Sequence, residues 1–273
     1  IDLLIHPEDR AKAHALMCAL GYTVEHGWEP TYSYVRDTEY YEIHTNLMDG
    51  NLDGRTDLPA YFGRAWQYAE RDDGLRYRPA PEFHFIYTVC HLAKHLYGGG
   101  AGLRMYLDAA LFVKQEDARL DWAAIMEEFS ALHLTAFFHT VMNACRVWFG
   151  TETVCPLPEP DHAALEKLLD YTLDADLFGL SRDHAVIELR NEQEAVPSRG
   201  RVLRRMLFPP AAEIETRYTF LKGRRWLLPV AWIVRPFANL RLIPAQLRQM
   251  KQVTKTDRAQ VEAYDSFMRE IGL

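Results

Sequence analysis

Two carboxylates stand inside short apolar runs: Asp2 in "IDLLI" and Glu42 in "YYEIHTNL". Period-two alternation sets Asp2, Leu4 and His6 on one face of the first strand, with Ile1, Leu3 and Ile5 on the other. In the second strand Tyr40, Glu42, His44 and Asn46 share a face, opposite Tyr41, Ile43, Thr45 and Leu47. If the two strands are neighbours, the acids can face each other. Close carboxylates repel unless one is protonated or a cation lies between them. Mg²⁺ suits a few carboxylates joined by substrate phosphates. The same acids on the solvent face of a half-exposed sheet would need no cation, and spacing alone leaves both readings open.

A second group lies in "FHFIYTVCHLAKHLYGGGAGLRMYLD". Helical spacing aligns His84, His91 and His95, with Tyr87 and Thr88 between them. His91 and His95 have the i,i+4 spacing of helical zinc ligands. However, Leu92 occupies the position of the glutamate in His-Glu-x-x-His, and the motif offers no third ligand. Hydrogen-bonded histidines facing a cleft are the expectation. Lys94, His95 and Arg104 can form a cationic wall for phosphates. The plainer alternative pairs Arg104 with Asp108 at i,i+4, worth about 0.2–0.5 kcal/mol when exposed. "GGGAG" follows a helix rather than a strand, so it reads as an inter-helix turn and not a phosphate loop. Its glycines also fit a hinge.

The elements that must position these residues follow from periodicity and punctuation. Strand "IDLLI" leads through Pro7 into the helix "EDRAKAHALMCAL", closed by Gly21. Strands "TYSYV" and "YYEIHTNL" flank the polar turn "RDTE". After the loop "DGNLDGRTDLP", the expected helices are "LPAYFGRAWQYAE", "PEFHFIYTVCHLAKHLY", "LRMYLDAALFVKQ", "DWAAIMEEFSALHL", "TAFFHTVMNACRVWFG" and "DHAALEKLLDYTL". Pro81, Asp121, Thr135 and Gly150 act as caps or breakers, and Asp161 as an N-cap. "LRNEQEAVPSRGR" reads as a linker. The fold class expected is α+β: a small mixed sheet, then a mainly helical region.

Composition limits the rest. With 273 residues, 48% of them hydrophobic, the chain can bury a full core, which argues against disorder. Cys18, Cys90, Cys145 and Cys155 form no CxxC pair and read as reduced, buried thiols of a cytoplasmic protein. Charge is uneven. From Arg199 to Arg258 there are 14 Lys or Arg against three acids, a net of +11, which leaves −18 on the remainder. Such a stretch can meet phosphates, an anionic membrane surface or the chain's own acids. Its longest uncharged run, Trp226 to Val234, is nine residues and contains Pro229, too short to span a bilayer.

"IDLLIHPEDRAKAHALMCALGY" and "YYEIHTNL" resemble the uncharacterised nucleotidyltransferase family of the polymerase-β-like superfamily. The resemblance continues through "HLAKHLYGGGAGLRMYLDAALF", "LDWAAI", "LFPPAAEIETRY" and "LLPVAWIVRPFANL", over nearly the whole chain. It implies a catalytic Asp-x-Asp strand and a third acid on a nearby strand. Asp2 matches the second Asp and Glu42 the third acid. The first Asp would fall one residue before Ile1 and the family's Gly-Ser turn further upstream. The chain, with no initiator Met, therefore reads as truncated inside the catalytic motif.

The activity implied is transfer of a nucleoside monophosphate from an NTP to a hydroxyl-bearing acceptor (a small molecule, glycan or protein), with two Mg²⁺ ions in the intact site. His91, Lys94, His95, Arg104 and Asp108 match the pattern's nucleotide-binding segment. The alternative is a catalytically degenerate binding module of the same fold. Three regions are expected: an incomplete nucleotidyltransferase-like unit over 1–75, a helical domain over 76–195 and a basic amphipathic tail over 196–273. No nucleic-acid module is visible; the basic, Trp-rich tail is a candidate for peripheral membrane contact.

Overall fold

The computed structural model describes residues 1–28, 30–48, 50, 52, 56–98, 100–174, 199–214, 218–221, 223–238 and 258–273. Two compact units divide the chain. The first holds Ile1–Gly50, Leu58–Gly63 and Arg199–Met250; the second holds Asn51–Asp57, Arg64–Ser198 and Lys251–Leu273. The architecture is mixed α/β, a small sheet followed in sequence by mainly helical structure.

The first unit is built on a four-stranded sheet of order β1-β4-β3-β2, with β1 (Asp2–Leu4), β2 (Thr23–Trp28), β3 (Thr31–Arg36) and β4 (Glu39–His44). β1 runs parallel to β4, whereas β2 and β3, and β3 and β4, are antiparallel. The crossover needed by the parallel pair begins with α1 (Arg10–Ala19). Met17 of α1 packs with Tyr22, Tyr32, Tyr34 and Ile43, and Ile5, Ala13 and Tyr41 flank this cluster. Tyr32 and Tyr34 alternate with Thr31 and Ser33 along β3, so one face of the sheet makes the core and the other carries polar groups.

Three local expectations are corrected here. β2 has no counterpart among the predicted strands; "TVEHGW" lacks a run of apolar residues and is an edge strand, interrupted by a bulge between Val24 and His26. Leu16 of α1 and Leu20 just after it are exposed, and Cys18 is exposed with them. Cys18 is therefore not a buried thiol, although Cys90, Cys145 and Cys155 are. The stretch "LPAYFGRAWQYAE" is not one helix. α2 (Leu58–Phe62) ends at Gly63, a single 3₁₀ turn spans Ala65–Tyr68, and the chain then enters a hairpin of β5 (Ala69–Asp73) and β6 (Arg76–Pro79) in the second unit.

The second unit is helical beyond that hairpin: α3 (Pro81–Gly98), α4 (Leu103–Glu116), α5 (Trp122–Ala131), α6 (Thr135–Phe149), α7 (His162–Asp174) and, near the C-terminus, the helix Arg258–Glu270. The signals at Asp121, Asp161 and Gly150 are met, whereas Thr135 is the first residue of α6, whose N-cap is Leu134 with no side-chain cap bond. The Asp121 carboxylate accepts from the Ala124 N–H at 3.0 Å, and Asp161 accepts from Ala163 and Ala164 at 3.1 Å. Gly150 closes α6 in the left-handed conformation, φ 64°. Phe85, Trp122, Phe129 and Phe138 form the aromatic centre, with Phe129 stacked on Phe138 at 4.7 Å. Gly100, at φ 112°, turns the chain between α3 and α4, so "GGGAG" joins two helices.

The basic stretch forms α8 (Arg199–Leu207), α9 (Ala211–Ile214) and α10 (Leu228–Ala238) in the first unit; α11 is the helix Arg258–Glu270 already placed in the second. Ile214, Leu221 and Ala231 make a small core of their own. Trp232 and Arg235 of α10 donate to the carbonyls of Pro209 and Met206. The predicted linker "LRNEQEAVPSRGR" lies outside the described residues apart from its last three. No described helix is long and apolar enough to cross a membrane.

Candidate metal centre

Strand register brings the two sequence-predicted acids together. Asp2 is the parallel partner of Glu42, and on the next rung Leu4 pairs with His44. The ladder bonds are made by the Glu42 N–H to the Ile1 carbonyl and the Ile5 N–H to the His44 carbonyl, each 2.9 Å. Across the other edge of β4, Ser33 pairs with Glu42 and Thr31 with His44. Asp2, Glu42 and Ser33 thus form one row across the sheet, and Leu4, His44 and Thr31 the next, all on the face opposite the Met17–Tyr34 core.

His44 completes the group. Its Nε2 lies 3.7 Å from Glu42 Oε2 and 4.0 Å from Asp2 Oδ1. One donor atom from each of Asp2, Glu42 and His44 falls within 4.8 Å of the others. Exposure grades across the rows: the side chain of Asp2 is 73% exposed, that of Glu42 33% and that of His44 18%. Supporting groups fix two of the three. The Tyr40 hydroxyl lies 3.0 Å from Glu42 Oε1 and 3.0 Å from the buried Ser33 Oγ. Of the influences on the Tyr40 phenol, the Ser33 hydrogen bond is the largest and lowers its pKa; partial burial and the bond to Glu42 outweigh it and leave the phenol above its usual range. Thr31 Oγ1 lies 3.1 Å from His44 Nδ1, which holds the ring so that Nε2 points toward the acids.

His44 was absent from the sequence-predicted ligands. The signal was there, because alternation already placed it two residues beyond Glu42 on the same strand face. What linear reading lacked was the parallel β1–β4 pairing, which sets Asp2 one rung away.

The other predicted site residues lie in the second unit. On α3, Phe83, Phe85, Ile86, Val89, Cys90, Leu92, Ala93 and Leu96 are buried, which leaves His84, Tyr87, His91, Lys94 and His95 off the core stripe. His91 and His95 meet with their Nε2 atoms 3.1 Å apart, so one ring donates its N–H and the other accepts, and Tyr87 stacks on His91 at 5.3 Å. On α4, Arg104 Nε stands 3.9 Å from Asp108 Oδ2, an exposed i,i+4 pair as the plainer alternative expected.

The sequence profile of a family described as uncharacterised nucleotidyltransferases matches residues 1–150. The chain belongs to that family. The matched segment takes in the whole acid-bearing sheet and α3 to α6. No curated protein and no solved structure matches the chain.

Proposed function

We propose that the protein transfers a nucleoside monophosphate from an NTP to a hydroxyl-bearing acceptor, with Asp2 and Glu42 as the carboxylates of its metal centre. Family membership supports nucleotidyl transfer in general. The observation that carries the site assignment is the register pairing of Asp2 with Glu42 on parallel strands. Two acids on adjacent rigid strands, with the His44 imidazole beside them, fit a divalent cation. Mg²⁺ is the ion that two carboxylates would call for on their own, and a second Mg²⁺ would accompany the triphosphate.

In the reaction the acceptor oxygen forms a bond to the α-phosphorus while the bond to the departing pyrophosphate breaks, and the hydroxyl proton passes to a carboxylate or to water. Bound divalent ions supply charge neutralisation and acidify the acceptor hydroxyl. The chain's own contribution is positioning. The β1–β4 ladder fixes the spacing of the carboxylates, Tyr40 orients Glu42 through Oε1, and Asp2 is the open, solvent-facing arm. His91, Lys94, His95, Arg104 and Asp108 carry the nucleotide-binding part of the reading, tested separately by NTP affinity in a Lys94→Ala variant.

The experiment supplies each NTP, labelled on the α-phosphate, with Mg²⁺ and a panel of small-molecule, glycan and protein acceptors. Label on an acceptor or on the protein itself is the expected result. Absence of label from every NTP, together with absence of bound metal, overturns the proposal. Metal and NTP binding without transfer identifies the degenerate binding module instead.

A further inference from the structure

We infer that His44 is the third protein ligand of the ion held by Asp2 and Glu42, and that it makes this centre select a first-row transition ion (Mn²⁺, Co²⁺ or Zn²⁺) over Mg²⁺. The inference rests on the reading that a divalent ion sits between the two acids. The separations favour an ion over a direct contact. A protonated histidine bonded to a carboxylate would bring nitrogen and oxygen to about 2.7–2.9 Å. Nε2 instead stands 3.7 Å from Glu42 and 4.0 Å from Asp2. Donors bound at about 2.0–2.2 Å to one ion lie between about 2.9 Å apart at a right angle and 4.2 Å apart when opposed. Both separations fall in that interval.

The surroundings are those of a ligand. Thr31 Oγ1 lies 3.1 Å from Nδ1, and in the tautomer that donates the Nδ1 proton to it, Nε2 keeps its lone pair on the side of the acids. Glu42 is divided in the same way: Oε1 accepts from Tyr40, and Oε2 is the oxygen that faces His44. The inner donor atoms of His44 and Glu42 are thus the ones left over by their outer hydrogen bonds. His44 is the most covered member of the group, on the sheet rather than on a loop. An imidazole in the donor set changes ion preference. Mg²⁺ takes oxygen ligands and keeps its waters, whereas nitrogen donors raise affinity for Mn²⁺, Co²⁺ and Zn²⁺.

The test is metal binding by the purified protein, not turnover. Calorimetric titration compares Mn²⁺, Co²⁺ and Mg²⁺ with wild type, D2N, E42Q and H44A, and pulsed electron-spin resonance of the Mn²⁺ form looks for modulation from a directly bound imidazole nitrogen. Nitrogen modulation in the wild type is expected, with Co²⁺ and Mn²⁺ bound at least about 10-fold more tightly than Mg²⁺. H44A should lose the modulation and most of that preference while keeping weak Mg²⁺ binding. If D2N and E42Q abolish binding but the wild-type ion shows no nitrogen coupling, the His44 assignment is overturned and the carboxylate centre stands. If none of the ions binds wild type, both fall. The wild-type spectrum decides the matter even if H44A fails to fold.

Discussion

At the residue scale, the arrangement around Glu42 depends on which oxygen is left available. Tyr40 engages Oε1, and its phenol stays protonated well above neutral pH, so the constraint holds under any ordinary assay condition. Replacing Tyr40 by Phe keeps the ring and frees the carboxylate to rotate. Metal affinity should fall by about 10-fold, with thermal stability lowered only by the hydrogen bond lost to the buried Ser33 Oγ. Unaltered affinity in Y40F would show that Glu42 needs no orienting partner. The acids were legible in the sequence because a carboxylate in a short apolar strand is conspicuous. His44 was less so, since a histidine beside "TNL" has many ordinary reasons to be there.

At the element scale, the sheet is locked at the β3–β4 turn by a cluster that joins three segments. Tyr22, just after α1, donates to Glu39 Oε2, and Arg36 binds the same oxygen at 2.8 Å. The hydrogen bond to Glu39 is the main reason the Tyr22 phenol is pushed up to about 12. The Tyr22 and Arg36 hydrogen bonds hold the Glu39 carboxyl below its ordinary value of 4.5. A carboxyl whose folded pKa is depressed binds fewer protons in the folded than in the unfolded state. Its contribution is therefore complete above the ordinary value and is lost as pH falls through the lower, folded one. Denaturant midpoints measured from pH 7 down to pH 3 should converge for wild type and E39Q as the pH drops below 4.5. Parallel curves would remove Glu39 from the account.

The same scale shows what sequence reading could and could not reach. Helices α3, α5, α6 and α7 were legible because Pro81, Asp121, Gly150 and Asp161 mark their ends and broad apolar stripes fill them. The hairpin β5–β6 was not, because "AERDDGLRYRP" is exposed on nearly every side chain and has no apolar alternation; its turn signal, Asp73-Gly74 with Gly74 at φ 53°, was the one available cue. On α1, Ala13 and Met17 take the packed face while Leu16, like Leu20 at the helix's end, does not, a choice made by the tyrosines of β3 rather than by the helix's own pattern.

At the scale of the whole molecule, distant parts of the chain close each unit. α11 returns to the second unit, where Ile271 and Met268 are buried and the Tyr264 hydroxyl donates to the Leu96 carbonyl at the end of α3, 2.8 Å away. Gly272 makes this closure possible. At φ +92°, a Cβ there would stand 2.6 Å from the Ala136 carbonyl carbon and 2.8 Å from its Cβ, with the Phe137 nitrogen closer still. Backbone strain and a clash with backbone that cannot give way should together destabilise G272A by about 2–4 kcal/mol. Chemical denaturation within about 0.5 kcal/mol of wild type would mean that the terminal turn is dispensable. In the first unit the basic stretch from Arg199 to Met250 shares a compact body with the acid-bearing sheet, so its 11 Lys or Arg against two acids, a net of +9, belong to one unit with the carboxylate pair.

The central claim is that Asp2 and Glu42 form the catalytic metal centre. It is tested most directly by following α-phosphate label from an NTP to acceptor in wild type, D2N and E42Q, with folding of each variant verified by its melting curve. Both substitutions keep size and remove charge, so transfer should fall by at least about 100-fold with melting temperatures close to wild type. Transfer that persists at wild-type rate in folded D2N and E42Q would contradict the account.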